Sequence, residues 1–255
     1  MKIFALVNQK GGVAKTTSTY NLSVLAAQTG KRVLMIDLDP QASLTLSSGL
    51  MPGKQEHTIC DLLMRNTDPY ECGYPIPALE SRGIDNLYLI PSSIELAEVE
   101  QALTGKVARE QILHRQLAAF EEEFDEVYID CPPELGILTL NALTSTTVDG
   151  GVIIPAKADY LSYAGLQSLR RTMQTVRENL NATLVERGFI ITMYEKVVRD
   201  QQDMLAQYQK AGTVLGIVKK SADTYRSILD GIPVVISDPK SDVSVSYKEI
   251  ADKIQ

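Results

Sequence analysis

The sequence predicts an α/β fold: a doubly wound, mainly parallel sheet with helices on both faces. Three observations carry that expectation. Short β-rich apolar runs alternate with helix-length segments along all 255 residues. A glycine-bearing loop joins the first apolar run to the first helical segment, and aspartates stand at the ends of two further runs, at Asp37 and Asp130. Strands separated by helices of this length imply right-handed crossovers and parallel pairing.

In chain order, residues 2–7 form the first run, followed by a helix from 15 to about 29 that Gly30 can terminate. Residues 32–36 are a second strand, with a short helix from about Ser43. The stretch 49–83 is rich in Pro, Gly and polar residues and reads as an insertion or loop, with one or two helical turns at 58–64. A strand at 87–90 ends at Pro91, and helices are expected at 94–104 and 109–122. Strand 127–129, helix 136–145, strand 152–154, helix 160–179 and strand 184–193 continue the alternation. The last third gives helix 197–211, strands 214–218 and 234–236, and helix 243–254. No linker, repeat or low-complexity tract interrupts the pattern, so one domain is expected.

The composition bounds the function. Apolar residues make up 44% and charged residues 22%, ordinary for a soluble globular chain. No apolar run approaches the roughly 18–20 residues that span a bilayer, and the first strand runs straight into the glycine loop, leaving no place for a cleavable leader. Cys60, Cys72 and Cys131 are too few and too irregularly spaced for a disulfide framework or metal cluster. They read as free thiols in a reducing cytoplasm. Two histidines, His57 and His114, do not make an all-protein metal site. The net charge of −7 opposes attraction of the whole chain to nucleic acid, although a local basic face remains open.

The loop Gln9-Lys10-Gly11-Gly12-Val13-Ala14-Lys15-Thr16-Thr17 carries the chemistry. A phosphate needs several converging N–H donors, which a helix N-terminus supplies with a favourable dipole. Gly11 and Gly12 let the backbone approach it. Lys15 is placed to neutralise the β- and γ-phosphates of ATP, the Thr16 hydroxyl to ligate Mg²⁺, and Thr17 to touch the α-phosphate. The standard pattern G-x-x-x-x-G-K-[ST] is not fully met, because Gln9 and Ala14 stand at its two glycine positions. A chance loop is the bland alternative; the flanking strand, the helix and the acidic motifs weigh against it. Asp130, ending an apolar strand, is where an acid holding the Mg²⁺ shell belongs, or else a turn former beside Pro132-Pro133. Asp37 and Asp39 alternate along the chain and need a turn to face one way; capping or turn formation before Pro40 is their bland reading.

Lys10-Gly11-Gly12-Val13-Ala14-Lys15-Thr16-Thr17 resembles the deviant Walker A motif, K-G-G-x-x-K-[ST], of the ParA/MinD ATPases. The resemblance continues in Val33-Leu34-Met35-Ile36-Asp37-Leu38-Asp39-Pro40-Gln41-Ala42-Ser43. It returns in Val127-Tyr128-Ile129-Asp130-Cys131-Pro132-Pro133-Glu134-Leu135-Gly136 and, weakly, in Asp230-Gly231-Ile232-Pro233-Val234 and Tyr247-Lys248-Glu249-Ile250-Ala251. It implies a P-loop NTPase fold, Mg-ATP as cofactor and a weak intrinsic ATPase, with Asp39 positioning the hydrolytic water and Asp37 supporting the Mg²⁺ shell. It also implies that Lys10 reaches across an ATP-dependent homodimer to the partner's nucleotide, doing the work of an arginine finger. Pro132-Pro133-Glu134-Leu135-Gly136 is then a switch segment beside the γ-phosphate, against the bland reading of a rigid prolyl turn. Ile217-Val218-Lys219 falls where the family usually has Ile-Pro-Arg flanking the adenine, so Val218 is a departure at the base contact.

The resemblance to ParA/Soj-type partition proteins further implies non-specific binding to double-stranded DNA, a ParB-type centromere-binding partner that stimulates hydrolysis, and a cytoplasmic, nucleoid-associated protein. The basic candidates are Lys196, Arg199 and Lys210, on one side of a helix if it is continuous, with Lys219, Lys220 and Arg226 beside them; Lys219 and Lys220 are the strongest. Asp203 shares that side, and solvated helix lysines are the bland reading. A MinD-like positioning protein with a protein or membrane cargo is the alternative. Iron–sulfur carriage lacks paired thiols beside Cys131. Residues 243–255 mix charges and lack Phe, Trp and Leu, so they read as a docked helix rather than a membrane anchor. No helix-turn-helix precedes the first strand, so operator-specific repression is not expected, and no acceptor motif of a metabolic kinase or synthetase is visible.

Overall fold

The computed structural model describes residues 1–222, 224 and 230–254. Its strands are β1 (Lys2–Leu6), β2 (Val33–Asp37), β3 (Tyr74–Pro75), β4 (Leu87–Ile90), β5 (Glu126–Asp130), β6 (Gly151–Lys157), β7 (Glu186–Tyr194) and β8 (Val214–Lys219). The first half carries α1 (Lys15–Gln28), α2 (Ser43–Ser47), α3 (Ile59–Met64), α4 (Pro77–Glu80), α5 (Leu96–Leu103), α6 (Ile112–Leu117) and α7 (Ile137–Ser145). The second carries α8 (Tyr160–Asn179), α9 (Arg199–Ala211), α10 (Val234–Ser237) and α11 (Asp242–Ile254).

The strands form one sheet in the order β3-β4-β2-β5-β1-β6-β7-β8. Every pairing is parallel except that of β3, which runs antiparallel to β4 at the edge. Period-two alternation of side chains divides each strand between two cores. Ile3 and Ala5 join the core beneath α3 and α5–α9, whereas Phe4 and Leu6 join the core beneath α1, α2, α4, α10 and α11. The central strands are apolar on both faces because both faces are covered, as the continuous runs at 33–36 and 127–129 require. Successive crossovers thus place helices on both faces, and the doubly wound arrangement follows. No described helix is long and apolar enough to cross a membrane.

Four expectations change. The stretch 49–83 is more than loop beyond its turns at 58–64, since it supplies the edge strand β3 and the helical turn α4. Residues 234–236 form no strand. Pro233 leads into the single helical turn α10, with Ile236 and Ser237 donating N–H to the Pro233 carbonyl. The Val235 N–H is satisfied by Asn21 Oδ1 of α1 at 3.1 Å, so the turn needs no sheet partner. The helix expected at 109–122 is broken into 3₁₀ turns either side of α6. The cause is Asn141 of α7, whose side chain accepts the Leu113 N–H and donates to the Arg109 carbonyl, clamping the start of α6. Finally, α9 begins at Arg199, so Lys196 lies in the preceding turn and the basic row is not one continuous helix.

Candidate nucleotide site

The loop between β1 and α1 opens at the carboxyl end of the sheet, where parallel α/β folds place their ligands. Gly12 has φ 65° and Ala14 has φ 62°, both left-handed. The first hydrogen bond within α1 runs from the Ser18 N–H to the Ala14 carbonyl, and no side chain caps the helix. The amides of residues 15–17 are therefore unspent donors at a positive dipole end. A Cβ on Gly11 or Gly12 would meet no atom within 4 Å, so the outer side of the loop is open. The loop borders a cleft of about 390 Å³ also lined by Asp39, Gln41, Ser43 and Pro133. A second, mainly apolar cleft of about 300 Å³ adjoins it, lined by Ala14, Thr17, Val218 and Tyr247 among others.

Behind the loop two carboxylates meet. Asp37 and Asp130 end adjacent strands as direct register partners, and both are buried. Asp37 Oδ2 accepts the Thr45 N–H and hydroxyl, each at 2.8 Å, and Oδ1 accepts the Asp39 N–H at 3.2 Å. Burial, only partly offset by those bonds, raises its pKa to about 6. Asp130 Oδ2 accepts the Thr16 hydroxyl at 2.6 Å, while Oδ1 is buried with no hydrogen-bond partner. Burial first, then the neighbouring Asp37, push Asp130 up to about 8, against the lowering pull of the Thr16 bond and Lys15.

Two carboxylates meet at one buried point, one with an orphaned oxygen, and Lys15 alone offsets them only in part. A Mg²⁺ ion fits that deficit, with Asp130 and Thr16 as the groups beside it. Such ions take few protein ligands and keep water and phosphate oxygens. Asp37 has its oxygens engaged by Thr45 and the Asp39 N–H, so it would bear on an ion there through its charge alone. Lys15 is nearly buried, and its Nζ donates to the Asn8 carbonyl at 3.3 Å. Asp39 is turned into the cleft by an Asx turn in which Oδ1 accepts the Gln41 N–H, the turn that its alternation with Asp37 demanded.

The basic candidates are less concentrated. Lys196, Arg199 and Lys210 are exposed. Lys219 pairs with Asp242 at 2.6 Å and Lys220 with Glu195 at 3.4 Å, so an acid accompanies each of the two strongest candidates. Arg226 lies outside the described residues. Two site neighbours escaped the sequence reading. Asp159, one residue before α8, receives Lys10 in an ion pair; its position as a helix N-cap was visible, its long-range partner was not. Met193, with φ 52°, lines both clefts at the loop, and nothing local marks it.

The fold and this loop define a P-loop nucleotide-binding domain. Residues 1–185 match a family described as an AAA domain. The sporulation initiation inhibitor protein Soj of Bacillus subtilis is 32% identical over 99% of this chain and 98% of its own length. The chromosome-partitioning ATPase Soj of Treponema pallidum is 33% identical over 99% and 96%. Among solved structures, cobyrinic acid a,c-diamide synthase from Mycobacterium smegmatis, with bound ATP analog and magnesium, superposes with a TM-score of 0.83 at 30% identity, covering 99% of this chain and 93% of that one. The cell division ATPase MinD of Pyrococcus furiosus gives 0.79 at 25% identity over 99% and 98%. The chain belongs to the ParA/MinD family of P-loop ATPases, and its full-length relatives include the Soj proteins.

Proposed function

We propose that this chain is a ParA-type ATPase that binds Mg-ATP at residues 10–17, dimerises on it, and drives partition of a plasmid or chromosome. The observation that supports it most is the Thr16–Asp130 pair beneath an uncapped helix N-terminus, with Asp130 carrying an unpartnered buried oxygen. In this reading the residue 15–17 amides and Lys15 bind the phosphates, and Val218 and Tyr247 flank the base. Asp130, Thr16 and Asp37 hold the Mg²⁺ site, and Asp39 orients the attacking water. The ion, when bound, would neutralise the negative charge that develops on the phosphates. Lys10 completes the partner's site across the dimer. The dimer binds double-stranded DNA without sequence preference through Lys196, Arg199, Lys210, Lys219, Lys220 and Arg226, and a ParB-type protein stimulates hydrolysis in a nucleoid-associated cycle.

A MinD-like positioning role with a protein cargo is the second reading, favoured by one observation: Lys219 and Lys220 are each accompanied by an acid. A membrane cargo is not supported by α11, because Val243, Tyr247, Ile250 and Ile254 of its apolar face are buried against the domain. An amide-forming synthetase, the activity in the name of one solved neighbour, would need an acceptor; hydrolysis of ATP with none added would argue against it. The deciding experiment is retention on non-specific DNA with ATP, with ADP, and with ATP in 0.5 M salt. We expect binding with ATP only, lost at high salt and weakened at least tenfold in Lys219→Glu/Lys220→Glu. No binding in low-salt ATP would favour the protein-cargo reading.

A further inference from the structure

Asp39, the residue assigned above to the attacking water, has its backbone held on both sides. Its N–H donates to Asp37 Oδ1 at 3.2 Å. Its carbonyl accepts the Ala42 N–H at 2.9 Å and the Ser92 hydroxyl at 2.8 Å. Ser92 comes from a distant part of the chain, just beyond β4, and the sheet register brings it there. Ile36 faces Ile90 across the parallel β2–β4 pair, so two residues further on Ser92 runs alongside residues 38 and 39. The Ser92 N–H donates to Thr45 Oγ1 at 2.9 Å, and the Thr45 N–H and hydroxyl both donate to Asp37 Oδ2 at 2.8 Å. The bonds close a ring from Asp39 through Asp37, Thr45 and Ser92 back to Asp39. Asp37, Thr45 and Ser92 are each 0% exposed, so bulk water does not compete for these bonds.

We propose that Ser92 is a positioning residue for Asp39: its hydroxyl fixes the Asp39–Pro40 peptide and thereby the direction in which the Asp39 carboxylate enters the cleft. This deepens the ATPase reading and rests on the role given there to Asp39. The Asp39 side chain accepts the Gln41 N–H through Oδ1 at 2.9 Å, which ties it to its own turn and not to the sheet. The backbone makes that second connection, to Asp37 on one side and to Ser92 on the other. Pro40 disfavours helical angles at Asp39 but has no N–H with which to anchor the turn. A carboxylate that orients water contributes only when held close to its productive place. Ser92 therefore bears on the rate while touching neither nucleotide nor water. The bland reading is that Ser92 only satisfies a buried carbonyl. That carbonyl already accepts the Ala42 N–H, so the hydroxyl adds a fixed direction to a group that is not orphaned.

Ser92→Ala removes the hydroxyl and leaves the backbone bond to Thr45 in place. In the full chain at saturating Mg-ATP, turnover should fall about three- to tenfold. Affinity for a fluorescent N-methylanthraniloyl ATP should stay within about twofold, because Lys15 and the loop amides are untouched. In Asp39→Ala, which should already be slow, adding Ser92→Ala should lower single-turnover hydrolysis no further. Without nucleotide, hydrogen exchange read by mass spectrometry should be faster in Ser92→Ala for the peptide containing Asp39 and unchanged for peptides of α8. Native turnover in Ser92→Ala, unchanged exchange at Asp39, or a further fall of the same size in the Asp39→Ala background would each overturn the proposal. A fall in turnover matched by an equal fall in nucleotide affinity would also overturn it and leave Ser92 a structural residue. Native turnover in Asp39→Ala would instead refute the role of Asp39 and the positioning with it; faster exchange in Ser92→Ala would then mark a clamp without catalytic use.

Discussion

Ala14 takes backbone angles of φ 62° and ψ 36°, the region that a glycine enters without strain and an L-residue with a Cβ enters at about 1–2 kcal/mol. The standard loop has glycine here; this chain has alanine and keeps the conformation. Ala14→Gly should therefore stabilise the protein by roughly 0.5–1 kcal/mol once the added freedom of the unfolded chain is deducted, opposite to the usual effect of that exchange in a helix. Urea unfolding measures it, and a destabilised variant would refute it. Asp130 makes a second residue-scale case. Its pKa is raised from 3.8 to about 8, so its protonated form contributes stability that is fully present below the unfolded value and lost as pH rises through about 8. Asp37 acts in the same direction through about 6. Without Mg²⁺ or nucleotide, the protein should melt at a higher temperature at pH 5.5 than at pH 8.5 on their account, and Asp130→Asn should flatten that slope in scanning calorimetry with chelator present.

At the scale of elements, most of the fold was legible because most elements are long and regularly patterned. The 20-residue helix α8 occupies the expected span, and in the structure Asp159 caps its start by accepting the Ser162 N–H. Short apolar runs were not legible. Val234-Val235-Ile236 has the composition of a strand, yet a three-residue run cannot distinguish a strand from a buried helical turn. Asn21 decides between them, accepting the Val235 N–H through Oδ1 and donating to the Thr17 carbonyl through Nδ2. Asn21→Ala should cost about 1–3 kcal/mol by leaving a buried donor without a partner. A loss well under 0.5 kcal/mol in denaturant titration would mean that α10 is held by packing alone.

At the scale of the molecule, the loop is half of the proposed site, and the proposal draws the other half from a second copy. Lys10→Ala should retain ATP binding within a few-fold but lose ATP-dependent dimerisation; dimers of native affinity in sedimentation would contradict the shared site. The proposed salt-sensitive basic surface belongs to this same scale, because it would link the nucleotide to something outside the single chain.

The alternation of runs, the glycine loop and the strand-end aspartates determined by themselves the layer architecture and the identity of the phosphate-binding segment, since these depend on local periodicity and on residues adjacent in the chain. The tertiary structure alone decided what each charge faces. It set Asp37 against Asp130 across neighbouring strands, gave Thr45 to Asp37, placed acids beside Lys219 and Lys220, and brought Asp159 to Lys10 from 149 positions away. Periodicity states which side of an element a residue occupies. Only packing states what lies opposite it, and the strength of every charge depends on that neighbour.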